Sequence, residues 1–127
     1  AMNDQQIEQE IQAKGLTAPR VTPADIEANI VSEHYFTAAG ARDGEDAISI
    51  GPERVSDRTI EVMSLLTFCV LVLRNGFTVT GESACASPEN FDAELGRKIA
   101  RQNAISKVWP LMGYALKERL AAGGAAA

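Results

Sequence analysis

Residues 65–80 read LLTFCVLVLRNGFTVT, and the way this stretch folds back on itself decides the architecture. Residues 65–73 are an almost unbroken apolar run rich in β-branched and aromatic side chains, and residues 77–80 alternate apolar with polar. Asn-Gly between two such runs is the strongest short-range hairpin signal, because a type I′ turn needs φ > 0 at both central positions. Glycine reaches that region without a Cβ clash and asparagine tolerates it. The spacing therefore predicts the pairs Arg74–Phe77, Leu73–Thr78, Val72–Val79 and Leu71–Thr80. Cross-strand partners share a face. Phe68, Val70, Val72, Phe77 and Val79 then form the core side, with Cys69, Leu71 and Leu73 opposite Thr78, Thr80 and Glu82 on the other. The first strand is apolar on both sides, and strands of that kind are covered on both faces. The second cover comes either from the N-terminal half or from another subunit, so a homo-oligomer is expected.

Downstream, Ser87-Pro88-Glu89-Asn90 carries helix-start chemistry: a capping serine, proline at the first helical position, and acids (Glu89, Asp92) at the positive end of the dipole. Phe91, Leu95, Ile99, Gln102, Ile105 and Trp109 fall in one stripe at 3.6-residue spacing. Pro110 ends this helix or begins the next. The expectation is a long helix over about 88–109 and a shorter closing one over 111–120. The fold class is α+β: a small antiparallel sheet built on a hairpin at about 65–85, with helices packed on one face.

Upstream, residues 3–14 have helical character through Ile7 and Ile11, with Gly15 as the stop. Thr22-Pro23-Ala24-Asp25 is a second helix start of the capping type, with a stripe of Ile26, Ile30 and Val31 and with Tyr35-Phe36 at its end. Residues 38–56, punctuated by Gly40, Gly44, Gly51 and Pro52, read as a solvated loop with a short strand at 47–50. Residues 57–63 fit either a strand or a brief helix. Residues 1–127 form one domain, with an N-terminal arm (1–20), a core (21–120) and a frayed small-residue tail (121–127).

Composition narrows the function. Hydrophobic residues make up 46% and charged residues 23%, ordinary for a soluble globular chain. A net charge of −5 opposes non-specific nucleic-acid binding, which needs phosphate neutralisation. Two cysteines, Cys69 and Cys85, are no disulfide framework, and their opposite strand parity keeps them apart. The longest apolar run, 62–73, is far short of the ~20 residues a membrane helix needs.

Enzyme signatures are weak. Gly81-Glu82-Ser83 resembles the opening of a hydrolase nucleophile elbow, but the final glycine is Cys85, and the sole histidine, His34, lies upstream. His34, Cys69 and Cys85 are too scattered for zinc, and Asp43, Glu45 and Asp46 lack calcium-loop spacing. No phosphate-binding glycine loop is present. The chain is read as a non-enzyme with no metal and no cofactor.

Two features suit an anionic ligand. The loop 82–87, carrying Ser83 and Ser87, leads to a helix N-terminus whose free N–H groups favour an anion, although Ser87 acting simply as the cap explains it as well. Arg97, Lys98 and Arg101 cluster on one flank of the long helix. Ion pairing with Glu94 accounts for the first two, whereas Arg101 has no carboxylate one turn before it. Across a symmetric interface the arginines would make a phosphate-binding patch. Phe77 and Trp109 lie in core stripes and are assigned to packing rather than base stacking.

The ordered string NGFTVTGESACASPENFDAELGRKIARQNAISKVWPLMGYALKERL, with VTPADIEANIVSEHYFT more loosely, resembles a family of small proteins from tailed double-stranded-DNA phages. That family is named for accessory proteins of a coliphage and a Shigella podophage and has no assigned activity. The resemblance implies phage or prophage origin and life in the bacterial cytoplasm, and it transfers no catalytic residue. The function expected is an accessory protein that binds and modulates a host component, with a host protein as partner. The alternative is an oligomeric protein sequestering a phosphate-bearing nucleotide signal of host defence.

Overall fold

The computed structural model describes residues 2–51 and 55–123. Three antiparallel strands lie in the order β1 (Ile30–Thr37), β2 (Leu66–Leu73), β3 (Thr78–Ala84), and a long helix, α5 (Ala93–Gly123), crosses one face. Short helices α1 (Asp4–Ala13) and α2 (Pro23–Ala28) precede β1, and α3 (Ala38–Arg42) and α4 (Asp57–Met63) lie in the β1–β2 connection. The fold is α+β, as the hairpin and the downstream helix predict.

The hairpin turns where Asn75-Gly76 marks it, but with different geometry. Gly76 has φ +89°, and no described non-glycine residue has positive φ, so Asn75 does not adopt the type I′ conformation. The Leu73 N–H donates to Phe77 O at 2.9 Å and the Gly76 N–H to Leu73 O at 2.9 Å, leaving a loop of Arg74, Asn75 and Gly76. This is the hairpin in which a turn is followed by a left-handed glycine. Asn75 contributes through its side chain, whose oxygen accepts the Phe77 N–H at 2.9 Å.

The longer loop slips the register by one residue, giving Val72↔Thr78, Leu71↔Val79 and Val70↔Thr80. A one-residue slip moves a strand's side chains to the other face. Cys69, Leu71 and Leu73 are therefore buried, together with Val79 as expected, while Phe68, Val70 and Val72 occupy the outer face and Phe77 is exposed. The expected core side of β2 is thus reversed.

The third strand comes from a segment read as helix. Thr22 caps α2 in a capping box with Asp25, but the helix ends at Ala28, and Ile30 and Val31 enter β1. Residues 57–63 are helical with Ser56 as cap, and α3, capped by Thr37, occupies the start of the expected loop. Residues 47–50 form no strand. Pro52, read as loop punctuation, lies outside the described residues, as do positions 124–127 of the expected tail. Positions 121–123 continue α5.

The helix α5 differs from the expectation at both ends. Residues 88–90 form a single 3-10 turn, and Ser87 makes no side-chain cap. The α-helix starts at Ala93 with Asp92 as its cap, the carboxylate accepting the Leu95 N–H at 3.0 Å. It then runs through Pro110 without breaking. Its buried residues are Ala100, Ala104 and Val108, not the large side chains of the expected stripe, and Leu95 and Ile99 are exposed. Small residues win because the backbones meet: a Cβ on Gly81 would stand 2.2 Å from Ala100 O and 2.3 Å from Ala104 N. Gly96 continues this ridge against Thr67, where an added Cβ would lie 3.2 Å from Oγ1. Ile26 of α2 completes the core, and Trp109 packs at its margin.

The arm folds back on its own chain. Asn3 caps α1, Trp109 Nε1 donates to Asp4 Oδ2 at 3.1 Å, and Arg20 forks onto Glu8. Both cysteines are free.

Candidate functional site

The residues expected to hold an anion are not gathered in one place. Arg101 forks onto Glu27 of α2, with Nη2–Oε1 at 2.7 Å and Nη1–Oε2 at 3.1 Å, and its Nε donates to Glu33 Oε2 of β1 at 3.1 Å. The Glu27 hydrogen bonds, opposed by partial burial, leave the guanidinium more firmly protonated than usual. Burial works against ionisation of Glu33, but hydrogen bonds from Tyr35 and Arg101 outweigh it and hold its carboxyl below the ordinary range. Burial and the bond to Glu33 push the Tyr35 phenol up. Arg101 thus clamps α5 to α2 and β1. A bidentate arginine held by two carboxylates has little charge left for a ligand.

Lys98 pairs with Glu94 at 3.4 Å, the surface ion pair expected. Arg97 lines a hollow of only about 90 Å³ beside Phe36 and Phe91. Ser83 lines another of about 130 Å³ with Cys85 and Asn90. Ser87 offers its carbonyl, which accepts from the Cys85 thiol at 3.1 Å. Both hollows are smaller than the ~300–1,000 Å³ of small-molecule sites.

A larger cleft, about 540 Å³, opens beside the hairpin loop. Its walls come from the 20–29 segment, the hairpin loop and the C-terminal half of α5. Three arginines line it: Arg20, Arg74 and Arg119. Arg20 is committed to Glu8, with Nη2–Oε2 at 2.8 Å. That hydrogen bond, helped by one from Gln12, lowers the Glu8 pKa to about 2. Arg74 is anchored by Nε donating to Ala28 O at 2.6 Å, the geometry that ties the hairpin loop to the end of α2. Neither Arg74 nor Arg119 has a carboxylate in ion-pair contact among the described residues. In a chain of net charge −5, two guanidinium groups in one cleft without a carboxylate partner among the described residues make its surroundings locally favourable to an anion. Asp25 is the one acid in the lining; one of its oxygens accepts the Thr22 N–H at 2.9 Å.

This cleft escapes sequence reading because its arginines are 54 and 45 residues apart (Arg20 to Arg74, Arg74 to Arg119). The helical spacing of Met112, Leu116 and Arg119 was the available signal.

The outer face of the sheet is the second notable surface. Leu66, Phe68, Val70 and Val72 run down its centre, and Phe36 stacks on Phe68 with ring centroids 5.6 Å apart. Ser32 and His34 flank the row on β1, and Thr78, Thr80 and Glu82 on β3. No described group of three or more His, Cys, Asp or Glu side chains is placed to hold a metal, and no described helix is long and apolar enough to cross a membrane.

A family model described as phage protein (N4 Gp49/phage Sf6 gene 66) family matches residues 21–120, which span all three strands and most of α5. No curated protein and no solved structure gives a significant match.

Proposed function

The chain belongs to this phage family, and we propose that it works by stoichiometric binding without a reaction of its own, taking a phosphate-bearing small molecule into the arginine-lined cleft. The observation that carries this reading is the pair of guanidinium groups, Arg74 and Arg119, that have no carboxylate partner among the described residues, at a cleft of ligand size. Guanidinium forks match phosphate oxygens bidentately. A protein of this kind removes a signal molecule from the host by mass action. A ligand that binds only the folded state adds RT ln(1 + [L]/Kd), about 2.7 kcal/mol at a hundredfold excess over Kd. Thermal shift with phosphate, pyrophosphate and phosphate esters tests it. The expected result is a rise in Tm that Arg119→Ala removes; flat curves across the panel reject it.

A second reading rests on the outer sheet face, where an apolar row rimmed by polar side chains has the pattern of a protein contact. Two strands of eight residues and one of seven span roughly 14 by 26 Å, about 370 Å², well under the ~800 Å² per partner of a standard stable interface. That area suits a short-lived contact with a host protein better than a permanent dimer. The double substitution Val70→Thr and Val72→Thr, which leaves the Phe36–Phe68 stack in place, should abolish capture of a specific host partner while leaving Tm nearly unchanged. Self-association by light scattering that the same pair abolishes would give the face to a second copy instead.

A further inference from the structure

We infer that α1 is a strap on the cleft, one that an incoming anion unfastens by taking Arg20 from Glu8. This rests on the phosphate-binding reading above and supplies the regulation of that same site. The face that α1 turns to the body is polar. Asp4, Glu8 and Gln12 stand at i, i+4 and i+8, one row along the helix. Asp4 Oδ2 accepts the Trp109 indole N–H at 3.1 Å, Glu8 takes the Arg20 fork, and Gln12 Nε2 braces the Glu8 carboxylate at 2.7 Å. Glu8 keeps only 12% of its side chain exposed, whereas Ile7 is 43% exposed and no residue of α1 is fully buried. The arm is thus docked by its acids rather than by its isoleucines. Apolar burial is indifferent to anions, but a carboxylate on a guanidinium exchanges with any anion that fits the fork better.

Both anchor points border the cleft. Arg20 lines it, and Trp109 lies three residues before Met112, so one turn of α5 separates the indole from the apolar wall that Met112 and Leu116 give the cleft. While α1 is docked, Arg74 and Arg119 face the cleft and Arg20 is already neutralised. An anion with oxygens to spare for a third guanidinium gains by displacing Glu8, and one of low charge does not. Glu8 thereby sets the charge a ligand must bring. Hydrogen bonds from Arg20 and then Gln12 hold the Glu8 carboxyl down at about 2, so near neutral pH the exchange needs an anion rather than a proton. The link to the body, residues 14–20, contains no helix or strand, which lets α1 swing away. Once free, a helix of ten residues is too short to persist in water, so release unravels it.

Hydrogen exchange at the α1 amides and calorimetric binding, both on the full chain, test this with phosphate, sulfate and pyrophosphate. Saturating pyrophosphate should speed α1 exchange at least tenfold and move the emission of Trp109, the sole tryptophan, to longer wavelength. Sodium chloride at the same ionic strength should do neither. Glu8→Ala, which keeps a strong helix former in α1, should release the arm with no anion present. It should also tighten pyrophosphate binding at least tenfold, because the competent state is then populated beforehand. If pyrophosphate binds in an Arg119-dependent way, yet α1 exchange stays slow or Glu8→Ala fails to tighten binding, the strap is wrong while phosphate binding stands. If the parent binds no probe but Glu8→Ala binds pyrophosphate through Arg119, the strap is upheld as a closed one. If neither protein binds any probe, both readings fall.

Discussion

Gly81 on β3 faces Ala100 on α5 so closely that a Cβ added at Gly81 would stand 2.2 Å from the Ala100 carbonyl oxygen. The obstacle is the helix backbone at its buried contact line, which cannot swing aside as a side chain can. Gly81→Ala must therefore pry α5 from the sheet, and overpacking of a close-packed interior costs about 1–3 kcal/mol, occasionally more. The expected result in urea unfolding is a loss of roughly 3 kcal/mol. Gly113→Ala on the same helix is the control, because nothing lies within 4 Å of a Cβ there. It should gain up to about 1 kcal/mol from helix propensity.

The hairpin register makes a paired prediction on adjacent residues. Leu71 is fully buried beneath α5, whereas Val70 lies on the outer face opposite Thr80. Leu71→Ala should cost about 2–5 kcal/mol, as other buried leucines do. Val70→Thr exchanges shapes on a half-open face and should stay within ~1 kcal/mol. Equal or reversed losses in chemical denaturation would mean that Val70, not Leu71, faces the helix.

These two adjacent residues also show how far the sequence can be read. Asn75-Gly76 locates the reversal, but Asn-Gly serves both a two-residue and a three-residue loop, and the choice between them flips every face assignment on β2. The strand β1 was hidden because IVSEHYFT carries polar residues at Ser32, Glu33 and His34, directly after a genuine helix start at Thr22. Its strand state comes from pairing with β2, a tertiary effect that outweighs local preference. The helix interface departs from the hydrophobic stripe for a related reason. Hydrophobic periodicity favours Leu95 and Ile99, yet the contact line needs the smallness of Gly96, Ala100 and Ala104. Arg101's partners lie 68 and 74 residues upstream, beyond any local rule.

The arm carries a pH signature. Glu8 titrates near 2 in the folded chain, against an ordinary 4.5, because Arg20 and then Gln12 hydrogen-bond its carboxylate. A depressed folded pKa contributes stability that is present in full above the unfolded value. It is lost as pH falls through the folded one. Unfolding measured against pH should therefore lose this contribution progressively from about 4.5 down to about 2. The variant Glu8→Gln should flatten that limb while matching the parent's slope between pH 6 and 8. Because Arg20 also lines the cleft, the same acid range should release α1 and open that wall.

Pro110 sits inside α5, where it removes the amide that would bond the Ser106 carbonyl and crowds the preceding turn. Replacing it with alanine restores one hydrogen bond and a helix-forming residue, a difference of about 3 kcal/mol in an exposed helix interior. Part of that returns through the greater freedom of the unfolded chain, about 1 kcal/mol. Pro110→Ala should raise stability by roughly 1–2 kcal/mol, read as an increase in Tm. Met112, Leu116 and Arg119 all follow the proline, so the helix axis beyond it sets where the cleft's apolar wall and its cation stand. A more stable variant that binds phosphate-bearing probes less well would show that Pro110 gives up helix stability to position the cleft. If stability rises and binding is unchanged, its place in the helix owes nothing to the ligand.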